Sequence, residues 1–162
     1  MNPENRSVSA SLSEGRLLDV SERLDTRYLE SLVGYNARRA ALTVIAVFLE
    51  GMKPYGLRPV EFSVLSLIHH NPGCTARQLC RALGLKASNM VGTLNQFEKG
   101  DLLLRKPHPL DGRAQGLHLT QQGKRLVRQA ERTASELERK ATHSLSPAEQ
   151  QHLMRLLQKI YL

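Results

Sequence analysis

The run from Leu57 to Gly123 limits the possible folds more than any other part of this chain. Pro59, at a first helical position, opens a segment whose Phe62, Val64, Leu65, Leu67 and Ile68 face inward, and Asn71-Pro72-Gly73 stops it. Thr75 caps a short helix through Leu83, and Gln78 three residues later completes a capping box. Gly84 allows a turn into a second helix, Lys86 to Lys99, with Met90, Val91, Leu94 and Phe97 on its anchoring side. Gly100-Asp101 ends that helix. Leu102 to Lys106 and Ala114 to Leu119 then read as two strands joined by a basic tip, Pro107 to Arg113. Helix, short helix, turn, helix and hairpin in that order predict a mainly α fold with a small β-wing, a winged helix-turn-helix.

The helix from Lys86 to Lys99 has the composition that reading a major groove demands. Such a helix needs an apolar anchor behind it and short polar groups at its leading end, where base edges come within reach. Lys86, Ser88 and Asn89 hold that leading position, with Thr93 and Asn95 further along. Asn89 suits an adenine edge, Ser88 a base or a phosphate, and Lys86 a phosphate or a guanine. Gly92 lets DNA approach closely, at a cost of about 0.5–1 kcal/mol relative to alanine within a helix. In the hairpin, Arg113 is placed to enter a minor groove, with Asp111 to steer it, while Arg105 and Lys106 suit phosphates. The formal charge of +8 favours an anionic partner without naming it.

Four segments follow from the pattern. Residues 1–26 read as a polar arm, with a short helix around Leu17 to Leu24. Residues 27–56 hold a first long helix, read from Tyr28 to Met52. Residues 57–120 form the winged unit. Residues 121–162 carry a helix of about 22 residues capped by Thr120 and another opening at Ser146-Pro147-Ala148-Glu149. The terminal helices exceed what one small winged unit needs, so they predict a helical homodimer region that sets two reading helices about one DNA turn apart; a monomer with a private helical cap stays open.

These pieces together resemble the multiple antibiotic resistance regulator (MarR) family of dimeric winged helix-turn-helix transcription factors. The resemblance runs over residues 28–162. It rests on Leu57-Arg58-Pro59-Val60-Glu61-Phe62-Ser63-Val64-Leu65, on the helix from Lys86 to Lys99, and on Leu110-Asp111-Gly112-Arg113-Ala114-Gln115-Gly116-Leu117-His118-Leu119-Thr120-Gln121-Gln122-Gly123. It implies interlocked terminal helices, a palindromic operator, and repression relieved when a small molecule changes the spacing of the two DNA-binding lobes. The family's wing carries two adjacent arginines after the aspartate, whereas here Gly112 precedes Arg113.

Effector candidates come from placement. Tyr35, Asn36, Arg38 and Arg39 in the first helix, with Phe62, Ser66, His69 and His70 in the next, mix apolar walls with groups able to fix a carboxylate or phenol. The stretch Gly34-Tyr35-Asn36-Ala37-Arg38-Arg39-Ala40 is similar to regulators of aromatic-acid degradation, some of which sense hydroxycinnamoyl-coenzyme A thioesters, so the expected effector is an aromatic acid or its acyl-CoA thioester. The Arg38-Arg39 pair equally suits solvent, DNA or an acidic surface.

The sequence carries no catalytic constellation and no phosphate-cradling glycine loop, so neither enzyme activity nor a cofactor is expected. The scattered histidines lack metal-ligand spacing, and Cys74 and Cys80 read as small core groups or thiols. No stretch of roughly 20 apolar residues is present, and the polar opening lacks signal-peptide order, so a cytoplasmic protein without membrane contact is expected. An activator or a constitutive DNA-binding protein would share this fold, and a helical module binding an acidic protein is the alternative of a different class.

Overall fold

The computed structural model describes residues 24–108 and 111–162. The expected helix around Leu17 to Leu24 and most of the polar arm lie outside the described residues, as does the hairpin tip at positions 109–110. The chain divides into two compact units, with the boundary at Ala40–Ala41.

In the first unit the expected single helix is two. Helix α1 (Arg27–Glu30) ends at Ser31, and α2 (Val33–Met52) begins after it. The break has a local cause, because the Asn36 amide donates to the carbonyls of Glu30 (2.7 Å) and Leu32 (2.8 Å). The Glu30 carbonyl is thereby satisfied without a continuous helical ladder, while that of Leu32 also accepts from the Asn36 N–H (3.2 Å) as α2 begins.

The second unit holds the rest of α2, then α3 (Pro59–His70), α4 (Ala76–Leu83), α5 (Ala87–Lys99), strands β1 (Leu103–His108) and β2 (Asp111–Leu119), α6 (Gln121–Ala141) and α7 (Pro147–Tyr161). A short 3₁₀ turn, Lys53–Tyr55, links α2 to α3 and is fixed by Tyr55 Oη, which lies 2.8 Å from Thr133 Oγ1 on α6.

The helix boundaries follow side-chain chemistry. At α4 the Thr75 hydroxyl accepts from the Gln78 N–H and the Gln78 amide oxygen accepts from the Thr75 N–H (2.8 Å). The Ser146 and Glu149 pair repeats this box at α7, and the Glu149 carboxyl is held below its usual range chiefly by the Ser146 side chain. Thr120 Oγ1 accepts from the Gly123 N–H at α6 (3.0 Å). At α3, Pro59 occupies the first turn and Glu61 accepts from the Arg58 N–H (2.8 Å). The α4–α5 turn needs the left-handed conformation that Gly84 supplies (φ +62°).

The core is built from Met52, Leu65 and Ile68 below Leu79 of α4, Met90, Leu94 and Phe97 of α5, and Leu103, Leu117 and Leu119 of the hairpin, closed by Val127 and Ala130 of α6. Each large apolar side chain buried there contributes about 1.5–3 kcal/mol against exposure, so α5 and the hairpin are carried on one hydrophobic block. The strands are antiparallel, with Leu103 opposite Leu119 and Arg105 opposite Leu117, and an irregularity between Pro107 and His108. They are longer than expected from sequence: Pro107, His108 and positions 111–113 belong to the strands, because pairing from Leu103 continues past Lys106. The turn before α4 joins the sheet edge, where Gly73 donates to the Leu117 carbonyl and Leu117 to that of Cys74 (both 2.8 Å).

Among the described residues a large apolar surface is left uncovered. On α2, Leu42, Ile45 and Leu49 are exposed; on α7, Leu153, Met154, Leu156, Leu157, Ile160 and Tyr161 are exposed, and α7 buries no residue.

Candidate nucleic-acid interface

Helix α5 presents two distinct faces. Met90, Leu94 and Phe97, at helical spacing, are buried and fix it on the core. Ser88, Asn89, Gly92 and Asn95 lie exposed on the other side, and Lys86 is exposed at the N-cap with extended backbone. Val91 departs from its expected place on the anchoring side: it is 53% exposed, one step round the helix from Met90 and in line with Ser88 and Asn95. An apolar group there suits the methyl of a thymine, a contact that sorting residues by polarity alone misses. Thr93 is half-buried and its hydroxyl donates to the Asn89 carbonyl (3.2 Å), so that proton is engaged within the helix.

The hairpin stands beside α5 and is tied to it. Arg105 donates to the Glu98 carboxylate through Nε (2.8 Å) and through a second guanidinium nitrogen (2.9 Å), and that same nitrogen reaches Asn95 Oδ1 at 3.2 Å. This bidentate pair raises the Arg105 pKa and uses its charge within the fold. Arg105 was expected on a phosphate; the structure places it as a clamp between strand and helix. Lys106, on the opposite face of β1, is exposed and unpaired among the described residues. Arg113 lies on β2, and its side chain lies outside the described part of the structure. On α4, Arg77 and Arg81 are exposed one helical turn apart, a pair whose i, i+4 spacing is the signal for it in the sequence.

The effector candidates fall in different surroundings. Tyr35 is half-buried and Arg38 and Arg39 are exposed in the first unit, where Asn36 is engaged at the helix junction. In the second unit, Phe62 packs edge-on against Phe48 with ring centroids 5.4 Å apart. Ser66 Oγ donates to Glu131 Oε1 (2.7 Å), and His70 Nε2 lies 2.9 Å from the same oxygen. Glu131 thus already supplies a carboxylate to both. His69 packs edge-on against His70, with ring centroids 5.0 Å apart, and also lines a small cleft at the hairpin. Among the described residues no set of three or more His, Cys, Asp or Glu is placed to hold a metal, and burial pushes the Cys74 thiol up, away from the reactive thiolate. Among those residues, no single helix is long and apolar enough to cross a membrane.

A short helix and a second helix joined by a glycine turn, with a two-stranded hairpin against the second, define a winged helix-turn-helix. The family model of the MarR family matches residues 55–114. A solved structure of the transcriptional repressor CouR bound to a 23-mer DNA duplex is 32% identical, superposes with a TM-score of 0.80, and aligns over 86% of this chain and 99% of its own. CouR from Rhodococcus jostii RHA1 bound to p-coumaroyl-CoA is 25% identical, with a TM-score of 0.75 over 82% of this chain and 93% of its own. An HTH-type transcriptional regulator of Bacillus subtilis (strain 168), YkoM, is 29% identical over 121 residues, 75% of this chain and 79% of its own. The chain belongs to the MarR family and is a DNA-binding transcriptional regulator.

Proposed function

We propose that this protein is a homodimeric repressor that binds a palindromic operator and is released by a small aromatic acid or its coenzyme A thioester. The observation that carries the DNA part is the exposed edge of α5, where Lys86, Ser88, Asn89, Val91 and Asn95 surround a glycine on a helix anchored by Met90, Leu94 and Phe97. Neutral groups on that edge read bases. Arg77, Arg81 and Arg113 hold phosphates or the minor groove around it, and Lys106 meets a phosphate from the other face of the hairpin.

Dimerisation is supported by the apolar surface of α7 and α2. A monomer leaving Leu153, Leu156, Leu157 and Ile160 in water together with Leu42, Ile45 and Leu49 exposes the kind of surface that self-association covers. A symmetric pair sets two α5 helices against successive major grooves. The effector reading is supported by the likeness to a regulator bound to p-coumaroyl-CoA and by the cationic pair Arg38 and Arg39 near Tyr35. Phe62, Ser66, His69 and His70 are the second-unit candidates. Binding shifts the population toward a spacing of the reading helices that no longer fits the operator.

The test is fluorescence anisotropy of labelled DNA from upstream of the protein's own gene against a scrambled duplex at one fixed salt. It is repeated with aromatic acids and their coenzyme A thioesters. The reading predicts strong operator preference abolished by one of these ligands. Equal affinity for both duplexes refutes the operator, and a preference that no binding ligand alters refutes the effector.

A further inference from the structure

The hairpin carries a second cationic cluster, away from α5. Successive residues of a strand point to opposite faces, so Arg105 turns to Glu98 while Leu104 and Lys106 turn to the other side, where His118 stands opposite Leu104. There Ile68 and His69 at the end of α3, with Lys124 in the first turns of α6, close a cleft of about 100 Å³ against Lys106 and His118. Among the described residues no Asp or Glu lines it and neither lysine forms an ion pair. Desolvation, and then the charges of Lys106 and Lys124, hold the His118 imidazole below its usual range, so both lysines act on that ring. Gathering these cations around one concavity without a counter-charge is unfavourable by itself; an anion in the cleft reverses the sign.

Size narrows the anion. A water takes about 30 Å³ of liquid, so the cleft has room for a group of several heavy atoms, while drug-sized ligands use roughly 300–1,000 Å³. An aromatic thioester does not fit within it. Donor-bearing residues line it from three elements, α3, the hairpin and α6, an arrangement that suits a tetrahedral oxyanion with acceptors in all directions better than a planar carboxylate. We propose that this cleft binds a phosphate group, with Lys106 and Lys124 supplying charge and His69 and His118 supplying N–H donors. The site does not depend on the operator reading, since the phosphate can be free or part of a DNA backbone.

The test uses the full chain and inorganic phosphate at constant ionic strength, balanced with chloride. The imidazole Cε1–H resonances of His69 and His118 are followed by NMR. Both rings should shift saturably, while His143 and His152, outside the cleft, stay unmoved. Lys124→Gln should weaken binding by about tenfold or more, as expected for losing one charge-assisted contact, and Lys140→Gln, in the last turn of α6, should not. Matching far-UV circular dichroism keeps the comparison among folded proteins. A linear, unsaturable shift, or equal affinity in Lys124→Gln, overturns the proposal. Duplex DNA then distinguishes the sources: competition with phosphate at these two rings, with the salt slope reduced by about 1 in Lys124→Gln, supports a backbone phosphate, and independent binding supports a free one.

Discussion

Replacing Gly123 by alanine inverts the usual effect of adding a methyl group to a helix. Gly123 lies in the first turn of α6, fully covered, and a Cβ there would fall 2.2 Å from the Leu102 carbonyl oxygen and 3.1 Å from its carbon. Ordinary contact begins near 3.4 Å, so the helix start and the strand entrance must separate by about 1 Å. The obstructing atom is backbone, and the same oxygen accepts from the Thr120 N–H at 3.0 Å, so the separation also strains the bond that joins α6 to the base of the hairpin. Overpacking costs about 1–3 kcal/mol and a weakened hydrogen bond about 0.5–1.5 kcal/mol, against a gain of at most about 1 kcal/mol from helix propensity. The net expectation is a loss of about 1–3 kcal/mol, with Tm falling by about 2–4 °C for each kcal/mol in a chain of this size. Gly92→Ala is the control: a Cβ there meets nothing within 4 Å, so stability should rise by about 0.5–1 kcal/mol. Urea midpoints and Tm are measured at one protein concentration, since association adds to apparent stability. If Gly123→Ala stabilises as much as Gly92→Ala does, the close approach at Leu102 is wrong.

Glu98→Gln releases Arg105 from its clamp; the exposed side of this pair limits the stability change to about 1 kcal/mol, while DNA affinity should rise and its salt slope steepen by about 1, read by anisotropy over a salt series. An unchanged slope would show that Arg105 is no less available when paired. Arg113→Ala should weaken operator binding without altering dimerisation, measured by anisotropy alongside sedimentation; undiminished affinity removes the minor-groove contact. His118 is held low in the folded chain by desolvation and by Lys106 and Lys124, with His69 the other titratable group in the cleft. The unfolded chain therefore takes up this proton first, so the stability contribution is present above about pH 6.5 and declines as pH falls from there toward the folded value. Urea midpoints between pH 7.5 and 5.5 should fall more steeply for the wild type than for His118→Gln, and parallel curves would exclude His118 as the cause.

The parts of this fold that sequence discloses are those decided within four residues. Thr75 with Gln78, Ser146 with Glu149, and Thr120 before Gly123 place three helix starts correctly, because capping exchanges short-range hydrogen bonds. The buried row Met90, Leu94 and Phe97 is legible for the same reason, as a period. Apolar character alone assigns Val91 to the core side, but its angle, one residue round from Met90, turns it to the exposed edge. The break before α2 depends on what the Asn36 amide does, which composition does not state. The Arg105 clamp crosses from strand to helix and the Glu131 cluster joins residues distant in sequence, and only the folded chain shows that they consume charges and donors that would otherwise count toward DNA or an effector.

That consumption bears on how the molecule divides its work. The net charge of +8 counts Arg105 as available, yet its partner is Glu98, whereas Arg77 and Arg81 are exposed on α4. The exposed edge of α5 itself, from Ser88 through Val91 to Asn95, is neutral apart from Lys86 at its start. On the proposed reading, Coulombic attraction to the duplex arises at the rim, and base discrimination in the middle. The two are separable in principle: changes at Arg77 or Arg81 alter the salt dependence for every duplex alike, and changes at Asn89, Val91 or Asn95 alter the ratio between duplexes at one salt. In the proposed complex the Arg105 clamp matters to both, since it ties the hairpin to α5 and so would set the distance between a contact in one groove and a contact in the next.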